Sequence, residues 1–345
     1  MRERTRQRWA MVVRLTLLSA ALGGAYGLSR NGVAGLAGGT INGLVIGGIL
    51  SACEIFYIEA PVGAPLRRLP VGVAFALKIA LYTAVILPGL HAGTWLSDWL
   101  GGDGERHVAA EVAFSFTVAA VVNTVLVVRR LIGPTLTALI VGRYRRARAE
   151  ERALLFLDLR GSTALAERLG NERFAEFLDR VIFAATEPIM ASGGTIYRYV
   201  GDEIIVTWPA RRGRIDPRCL ACPPAIEDAI AAERAAWERD FGAVPAFRAG
   251  LHAGPVVVSE LGDVKREIVL LGDAMNTTSR IADFCRGAGR ACIASAAVLG
   301  AARLPPDLRA ESLGRVALRG KAAAIELYAI ERRMPSVTAA RPFPG

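Results

Sequence analysis

The chain is poor in cysteine and histidine, and neither residue forms a pattern that staples a fold or cages a metal. Its five cysteines (Cys53, Cys219, Cys222, Cys285, Cys292) are an odd set without framework spacing. This excludes a disulfide scaffold and fits a reducing compartment. Cys219-x-x-Cys222 has no second cysteine pair or histidine pair nearby, so two small side chains in a loop are expected there, not zinc. A basic stripe is also missing from the second part of the chain. Residues 1–150 hold 16 Lys/Arg against 8 Asp/Glu, whereas 151–345 hold 26 against 24, so the net charge of +10 is concentrated at the front. No nucleic-acid partner is expected on that distribution. There is no internal repeat and no flexible Gly/Ser linker.

Apolar sequence, by contrast, is abundant. Four stretches (9–29, 34–58, 70–92 and 108–128) approach the roughly 20 residues that cross a bilayer. Arg2, Arg4, Arg6 and Arg8 precede the first, Arg67 and Arg68 separate the second from the third, and six arginines from Arg129 to Arg148 follow the fourth. The opposite loops carry only Arg30 on one side and Asp98, Asp103, Glu105 and Arg106 on the other. Positive charge on one side predicts a multi-pass protein of the cell inner membrane, with the lipid bilayer as a partner and the N-terminus and the later domain cytoplasmic. Glu54, Lys78 and Glu111 fall inside these stretches and are expected to face the bundle interior. Gly35, Gly38, Gly39, Gly43, Gly47 and Gly48 are expected at close helix contacts.

The predicted organisation is a four-helix membrane domain over 1–128, a basic helical connector over 129–153, a second folded domain over 154–331, and a disordered tail over 332–345. The second domain reads as a strand (154–159), a helix (164–190), and two strands (194–200, 203–208) around a Gly201-Asp202 turn. After a polar loop (209–222) come a helix (223–241), strands at 246–252, 255–261 and 266–271, and a helix at 273–286. A strand (290–294), a short helix (295–301) and two closing strands (311–318, 323–331) finish it. Strands and helices mix without strict alternation, which predicts an α+β fold with a mostly antiparallel sheet.

Asp158 ends the apolar run Leu154-Leu155-Phe156-Leu157, and Asp202 precedes the run Glu203-Ile204-Ile205-Val206-Thr207-Trp208. A carboxylate at a strand end meets solvent while the strand behind it is rigid. Two such groups suit hard divalent cations, which take oxygen ligands and leave positions for phosphates. Gly161-Ser162-Thr163 then opens a helical pattern whose free amides suit phosphate oxygens. The combination points to chemistry on a nucleoside triphosphate.

Five motifs in order carry a resemblance over roughly 150–331. They are Phe156-Leu157-Asp158-Leu159-Arg160-Gly161-Ser162-Thr163, Tyr199-Val200-Gly201-Asp202-Glu203, Gly250-Leu251-His252-Ala253-Gly254, the segment Leu271 to Arg280, and Leu318-Arg319-Gly320-Lys321. The chain resembles the class III nucleotidyl cyclases, and most of all the bacterial membrane-anchored adenylate cyclases. The resemblance implies a ferredoxin-like core, ATP as substrate, and 3′,5′-cyclic AMP and pyrophosphate as products. It implies two Mg²⁺ or Mn²⁺ per active site on Asp158, Asp202 and the Leu159 carbonyl, with Gly161, Ser162, Thr163 and Lys321 on the phosphates. It further implies that Asn276 and Arg280 orient the ribose and meet the charge of the transition state. In this family the aspartates of one chain meet the Asn/Arg pair of another, which implies a homodimer.

Two positions depart from the family pattern. The purine-selecting lysine is Arg198, and the acceptor seven residues before the asparagine is Val269, which cannot take a hydrogen bond from adenine's amino group. A guanylate cyclase, or one of relaxed purine choice, is therefore the first alternative. An inactive cyclase-like domain in a membrane sensor is the second, and the intact Asp158, Asp202, Asn276, Arg280 and Lys321 argue against it. His252 is expected to be structural, Asp273 to cap the helix that follows it, and Glu203 to support the metal site or face solvent.

Overall fold

The computed structural model describes residues 3–58, 69–99, 108–132, 142–211, 213–264, 266–321 and 323–333. The chain divides into two compact units, Met1–Leu136 and Thr137–Gly345.

The first unit is helical: α1 (Glu3–Cys53) running into a short π-helical turn (Glu54–Ile58), α2 (Val71–Trp99) and α3 (Val108–Ile132). α1 is folded in two at Asn31 and Gly32, where Gly32 takes φ 59. The two halves then run back along each other through glycine. A β-carbon on Gly27 would land on the Gly35 carbonyl, one on Gly39 on the Gly23 carbonyl, and one on Gly43 on the Ser19 backbone. Small residues at such a seam let backbones approach closely. Glu54 is buried, accepts a hydrogen bond from the Tyr82 hydroxyl (2.7 Å), and lies 3.0 Å from Lys78 Nζ, which also donates to Asn123 Oδ1 (3.3 Å). Glu54 and Lys78 thus face inward, as charge in an apolar bundle requires. Glu111 is half-buried and lines the same interior cavity as Glu54. Two helical stretches, Arg8–Tyr57 and Ala109–Leu126, are long and apolar enough to cross a membrane, and Ala76–His91 is a shorter apolar one.

The second unit is built on a mixed sheet. Its elements are β1 (Arg148–Leu159), α4 (Ser162–Leu169), α5 (Asn171–Ala191), β2 (Thr195–Val200), β3 (Glu203–Pro209), α6 (Arg218–Ala231), α7 (Arg234–Phe241), β4 (Phe247–Leu261) and β5 (Glu267–Leu271). They continue as α8 (Asp273–Ala288), β6 (Cys292–Ser295), α9 (Ala296–Ala301), β7 (Leu308–Val316) and β8 (Ile325–Arg332). The strand order is β2-β3-β1-β4-β6-β8-β7, with β5 paired to the outer half of β4. Only β4 and β6 run parallel among these pairs. The first four strands give the order β2-β3-β1-β4 in a β-α-β-β-α-β chain, which is the expected ferredoxin-like core.

β1 is covered on both faces, which explains its nearly unbroken apolar run. Leu155, Leu157 and Leu159 point to one side, among Phe177, Val181, Ile226 and Trp237 of the helical layer. Leu154 and Phe156 point to the other, where Ala274 and Ala282 of α8 cover them. α8 buries Ala274, Thr277, Thr278, Ile281, Ala282 and Cys285 at helical spacing. Full burial of a side chain such as Ile281 stabilises by about 1.5–3 kcal/mol, so this face fixes α8 firmly to the sheet. The approach is close at Gly250, where a β-carbon would stand 2.5 Å from Ala282 N and 2.8 Å from Thr278 O.

Several expectations need correction. The helical connector over 129–153 does not hold in its second half, since residues 142–146 form turns and bends and β1 already starts at Arg148. The long β4 offers Val256, Val257 and Val258 as partners for Glu150, Ala149 and Arg148, and pairing there outweighs helix propensity. Residues 133–141 of that connector, and the tail from 334, lie outside the described residues. Arg332 belongs to β8, and Arg333 donates its amide to the Asp307 carbonyl at 2.8 Å. The single helix expected over 164–190 is broken at Gly170 (φ 77). The loop expected over 209–222 already contains the first turns of α6, where Cys219 and Cys222 are buried side chains of the core. The strands expected at 246–252 and 255–261 are one continuous β4.

Candidate active site

The end of β1 brings several charges together. Asp158 stands opposite Glu203 of β3 on one side and Arg248 of β4 on the other. Arg248 Nη1 donates to Asp158 Oδ2 at 3.2 Å. Asp202 occupies the β2–β3 turn, which requires the left-handed Gly201 (φ 62) before it. Asp202 Oδ2 is buried and has no hydrogen-bond partner among the described residues. Burial raises the Asp158 carboxyl above its usual range, and the charge of Asp202 raises it further, against the opposing pull of Arg248. Burial, then Asp158, Asp283 and Asp202, push Glu203 up to about 7. An unpartnered buried oxygen within a group of mutually repelling carboxylates is the environment that a hard cation relieves. Among the described residues, no three His, Cys, Asp or Glu side chains form a cage by themselves. Two carboxylates leave most of a cation's positions to backbone, water and phosphate, so Asp158 and Asp202 fit Mg²⁺ or Mn²⁺ bound with a nucleotide. The side chain of Leu159 is buried in the core, which anchors the backbone beside this group.

The chain then turns through Gly161 (φ 68) into α4, whose first residues are Ser162 and Thr163. Among the described residues no side chain caps this helix, which leaves its first amides suited to an anion. Asn276 and Arg280 are exposed on α8, one turn apart. Arg280 Nη1 lies 3.5 Å from Asp283 Oδ2. Among the described residues, no hydrogen bond or ion pair joins Asn276 or Arg280 to Asp158 or Asp202. Lys321 is mostly buried and pairs with Asp273. Asp273 is thus not the side-chain cap expected from the sequence. Gly272 holds the cap position, and the Asp273 carboxylate takes Lys321.

His252 lies under Lys321, with Nδ1 2.8 Å from the buried Ser295 hydroxyl. Burial and the charge of Lys321 hold its imidazole down at about 4, against a smaller opposing effect of Asp273. A lowered imidazole held against a buried hydroxyl is consistent with the structural part expected for His252.

At the other edge, Arg198 of β2 forms an ion pair with Glu267 of β5. Its guanidinium carbon lies 5.5 Å from the Tyr197 ring centre. Tyr197 sits at a register shift in β2, and its hydroxyl accepts the Leu270 amide at 3.0 Å. Val269 is half-buried on β5, opposite Ser259. Glu203, expected to support the metal site or face solvent, stands beside Asp158 and feels the charge of Asp202, whereas Arg248 and Glu267 were missed. Strand alternation could have found Glu267, because it precedes Val269 by two residues and so shares its face.

No family model matches the chain. It is 35% identical over 274 residues to adenylate cyclase 2 of Rhizobium meliloti (strain 1021), covering 79% of this chain and 70% of that protein. It is 27% identical over 191 residues to adenylate cyclase 1 of the same organism, covering 54% of this chain and 28% of that protein. Two solved structures share the fold. The adenylyl cyclase CyaB from P. aeruginosa superposes with a TM-score of 0.50 and 19% identity, over 55% of this chain and 98% of that one. A bacterial light-regulated adenylyl cyclase superposes with a TM-score of 0.54 and 18% identity, over 66% of each chain. With its carboxylates at the end of β1, and with a relative that it matches over most of both lengths, the chain belongs to the class III nucleotidyl cyclases and is an adenylate cyclase.

Proposed function

We propose that the chain converts ATP to 3′,5′-cyclic AMP and pyrophosphate as a membrane-anchored homodimer, in sites that hold two Mg²⁺ or Mn²⁺ and draw on both chains. The observation that carries this reading is the buried, unpartnered Asp202 oxygen beside the raised carboxyls of Asp158 and Glu203. In the reaction the ribose 3′-hydroxyl attacks the α-phosphorus, its proton is lost, and the bond to the β-phosphate breaks. Bound cations supply charge neutralisation and a more acidic hydroxyl. Asp158, Asp202 and the Leu159 carbonyl hold them. The amides of Gly161, Ser162 and Thr163 receive phosphate oxygens, and Lys321 exchanges Asp273 for the terminal phosphates. Asn276 orients the ribose, and the Arg280 fork meets charge that builds on the phosphorus. Arg198 and the Val269 face of β5 border the purine.

The dimer is supported by the lack, among the described residues, of any hydrogen bond or ion pair between Asn276 or Arg280 and the aspartates of the same chain. The anchor is supported by the apolar α1, doubled back at Asn31-Gly32, by α3, and by the inward-facing charges of the first unit. Together with α2, these helices make four crossings with both ends of the unit on the cytoplasmic side of the inner membrane. The reading is tested with the full chain in lipid nanodiscs, supplied with Mn²⁺ and either ATP or GTP. Cyclic AMP formation that disappears in Asp158→Ala supports it. Cyclic GMP as the main product, or no cyclic nucleotide at all, contradicts it.

A further inference from the structure

We propose that Glu267, held against Arg198, accepts the hydrogen bond of adenine's 6-amino group, so that this ion pair selects the base in place of Val269. The inference rests on the reading of Arg198 as a purine-contacting residue. β5 alternates, with Ile268 and Leu270 packed into a cluster with Leu154 and Val256, while Glu267 and Val269 share the opposite face. Val269 has no acceptor, but Glu267 carries one along the same face, two residues earlier.

The side chains of Arg198 and Glu267 keep 42% and 37% of their exposure, and a pair so open to solvent adds little to folding. Its position is nevertheless well determined. The Tyr197 hydroxyl ties β2 to the Leu270 amide at 3.0 Å, and the Tyr197 ring lies beside the Arg198 guanidinium. The spacing of the two charges is therefore set by the strands that bear them. A guanidinium has five donors and a carboxylate about four acceptor sites, so each keeps capacity for a ligand while paired.

The order of donor and acceptor is what discriminates. Adenine presents an acceptor at N1 and a donor at the 6-amino group, matching Arg198 at the ring nitrogen and Glu267 at the amine. Guanine presents a donor at N1 and an acceptor at O6, so in the same pose it meets a donor with a donor and a carboxylate with a carbonyl. Rejection of a mismatched polar edge is stronger than any discrimination by shape in an apolar pocket.

The test is a cycle between protein and substrate, using the full chain in lipid nanodiscs with Mn²⁺. Three nucleotides are compared by kcat/KM: ATP, GTP, and purine riboside 5′-triphosphate, which lacks the 6-amino group. In the unaltered protein, removal of the amine should lower kcat/KM by about five- to a hundred-fold. In Glu267→Ala the ATP value should fall by a similar factor while the amine-free nucleotide is turned over as before, so the amine no longer matters. Glu267→Gln keeps an acceptor oxygen and should keep the dependence on the amine, which guards against simple misfolding of the alanine variant. Equal sensitivity to the amine in the unaltered protein and Glu267→Ala overturns the inference, as does an unchanged ATP-to-GTP ratio or a preference of the unaltered protein for GTP. If none of the three nucleotides is turned over by the unaltered protein, the failure lies with the adenylate cyclase reading itself.

Discussion

Asp202 keeps a buried oxygen without a donor, and its charge also disfavours ionisation of Asp158 and Glu203. Cations that bind these groups in the folded chain and not in the unfolded one should stabilise it by mass action. Millimolar Mn²⁺ with a nonhydrolysable ATP analogue is expected to raise the Tm of the unaltered protein by several degrees. Asp202→Asn removes the repulsion, so its Tm without metal should equal or exceed that of the unaltered protein, while the metal-dependent rise is lost and turnover falls at least about a hundred-fold. Differential scanning fluorimetry beside a cyclic AMP assay checks all three. A second residue-scale outcome concerns His252, whose folded imidazole titrates near 4 instead of 6.5. A histidine held neutral contributes stability that is complete above its unfolded value and is lost as the pH falls from about 6.5 towards 4. In thermal melts between pH 7.5 and 5 the unaltered protein should lose this stability relative to His252→Gln, the opposite contribution of the raised Glu203 carboxyl being common to both. The two aspartates and His252 were legible in the sequence because each lies in a local motif. Arg248 was not, because it reaches Asp158 across a strand register that no local pattern encodes, and for Glu267 alternation gives the shared face with Val269 but not the pairing with Arg198.

At the scale of elements, β4 supports α8 and with it Asn276 and Arg280. Gly250 lets the helix lie directly on the strand, and a methyl group there would meet the Ala282 amide and the Thr278 carbonyl, both backbone. Backbone cannot rotate away as a side chain can. Gly250→Ala should therefore cost about 1–3 kcal/mol and shift Asn276 and Arg280 outward, lowering kcat more than the loss of stability alone implies. Chemical denaturation with parallel kinetics on the folded fraction measures both effects. A variant as stable and active as the unaltered protein would show that the contact is not needed. Most elements of the second unit were legible from alternation and apolar runs. The break between α4 and α5 was hidden because the apolar period continues across Gly170, whose φ of 77 interrupts the backbone alone. The start of α6 was hidden because Pro223-Pro224 marks a helix start from local rules, yet the core burial of Cys219, Leu220 and Cys222 draws the helix back to Arg218. In the first unit, Asn31-Gly32 separates two apolar runs in the sequence and bends α1 in the structure.

At the scale of the molecule, the proposed active site draws on two chains, and the sequence of one chain shows only that the residues of both halves are present. Asp158 lies at the end of β1 and Asp202 in the β2–β3 turn, while Asn276 and Arg280 stand exposed on α8 and, among the described residues, make no hydrogen bond or ion pair to them. The central claim is that a second copy brings the two sets together. Asp158→Ala and Arg280→Ala should each be inactive as homodimers. When the two are co-expressed with different affinity tags and the mixed dimers are isolated from lipid nanodiscs, each mixed dimer carries one site with both aspartates, Asn276 and Arg280 intact. Its specific activity should then be about half that of the unaltered dimer, as two equivalent sites in a two-fold assembly require. Mixed dimers that form but make no cyclic AMP would contradict the account.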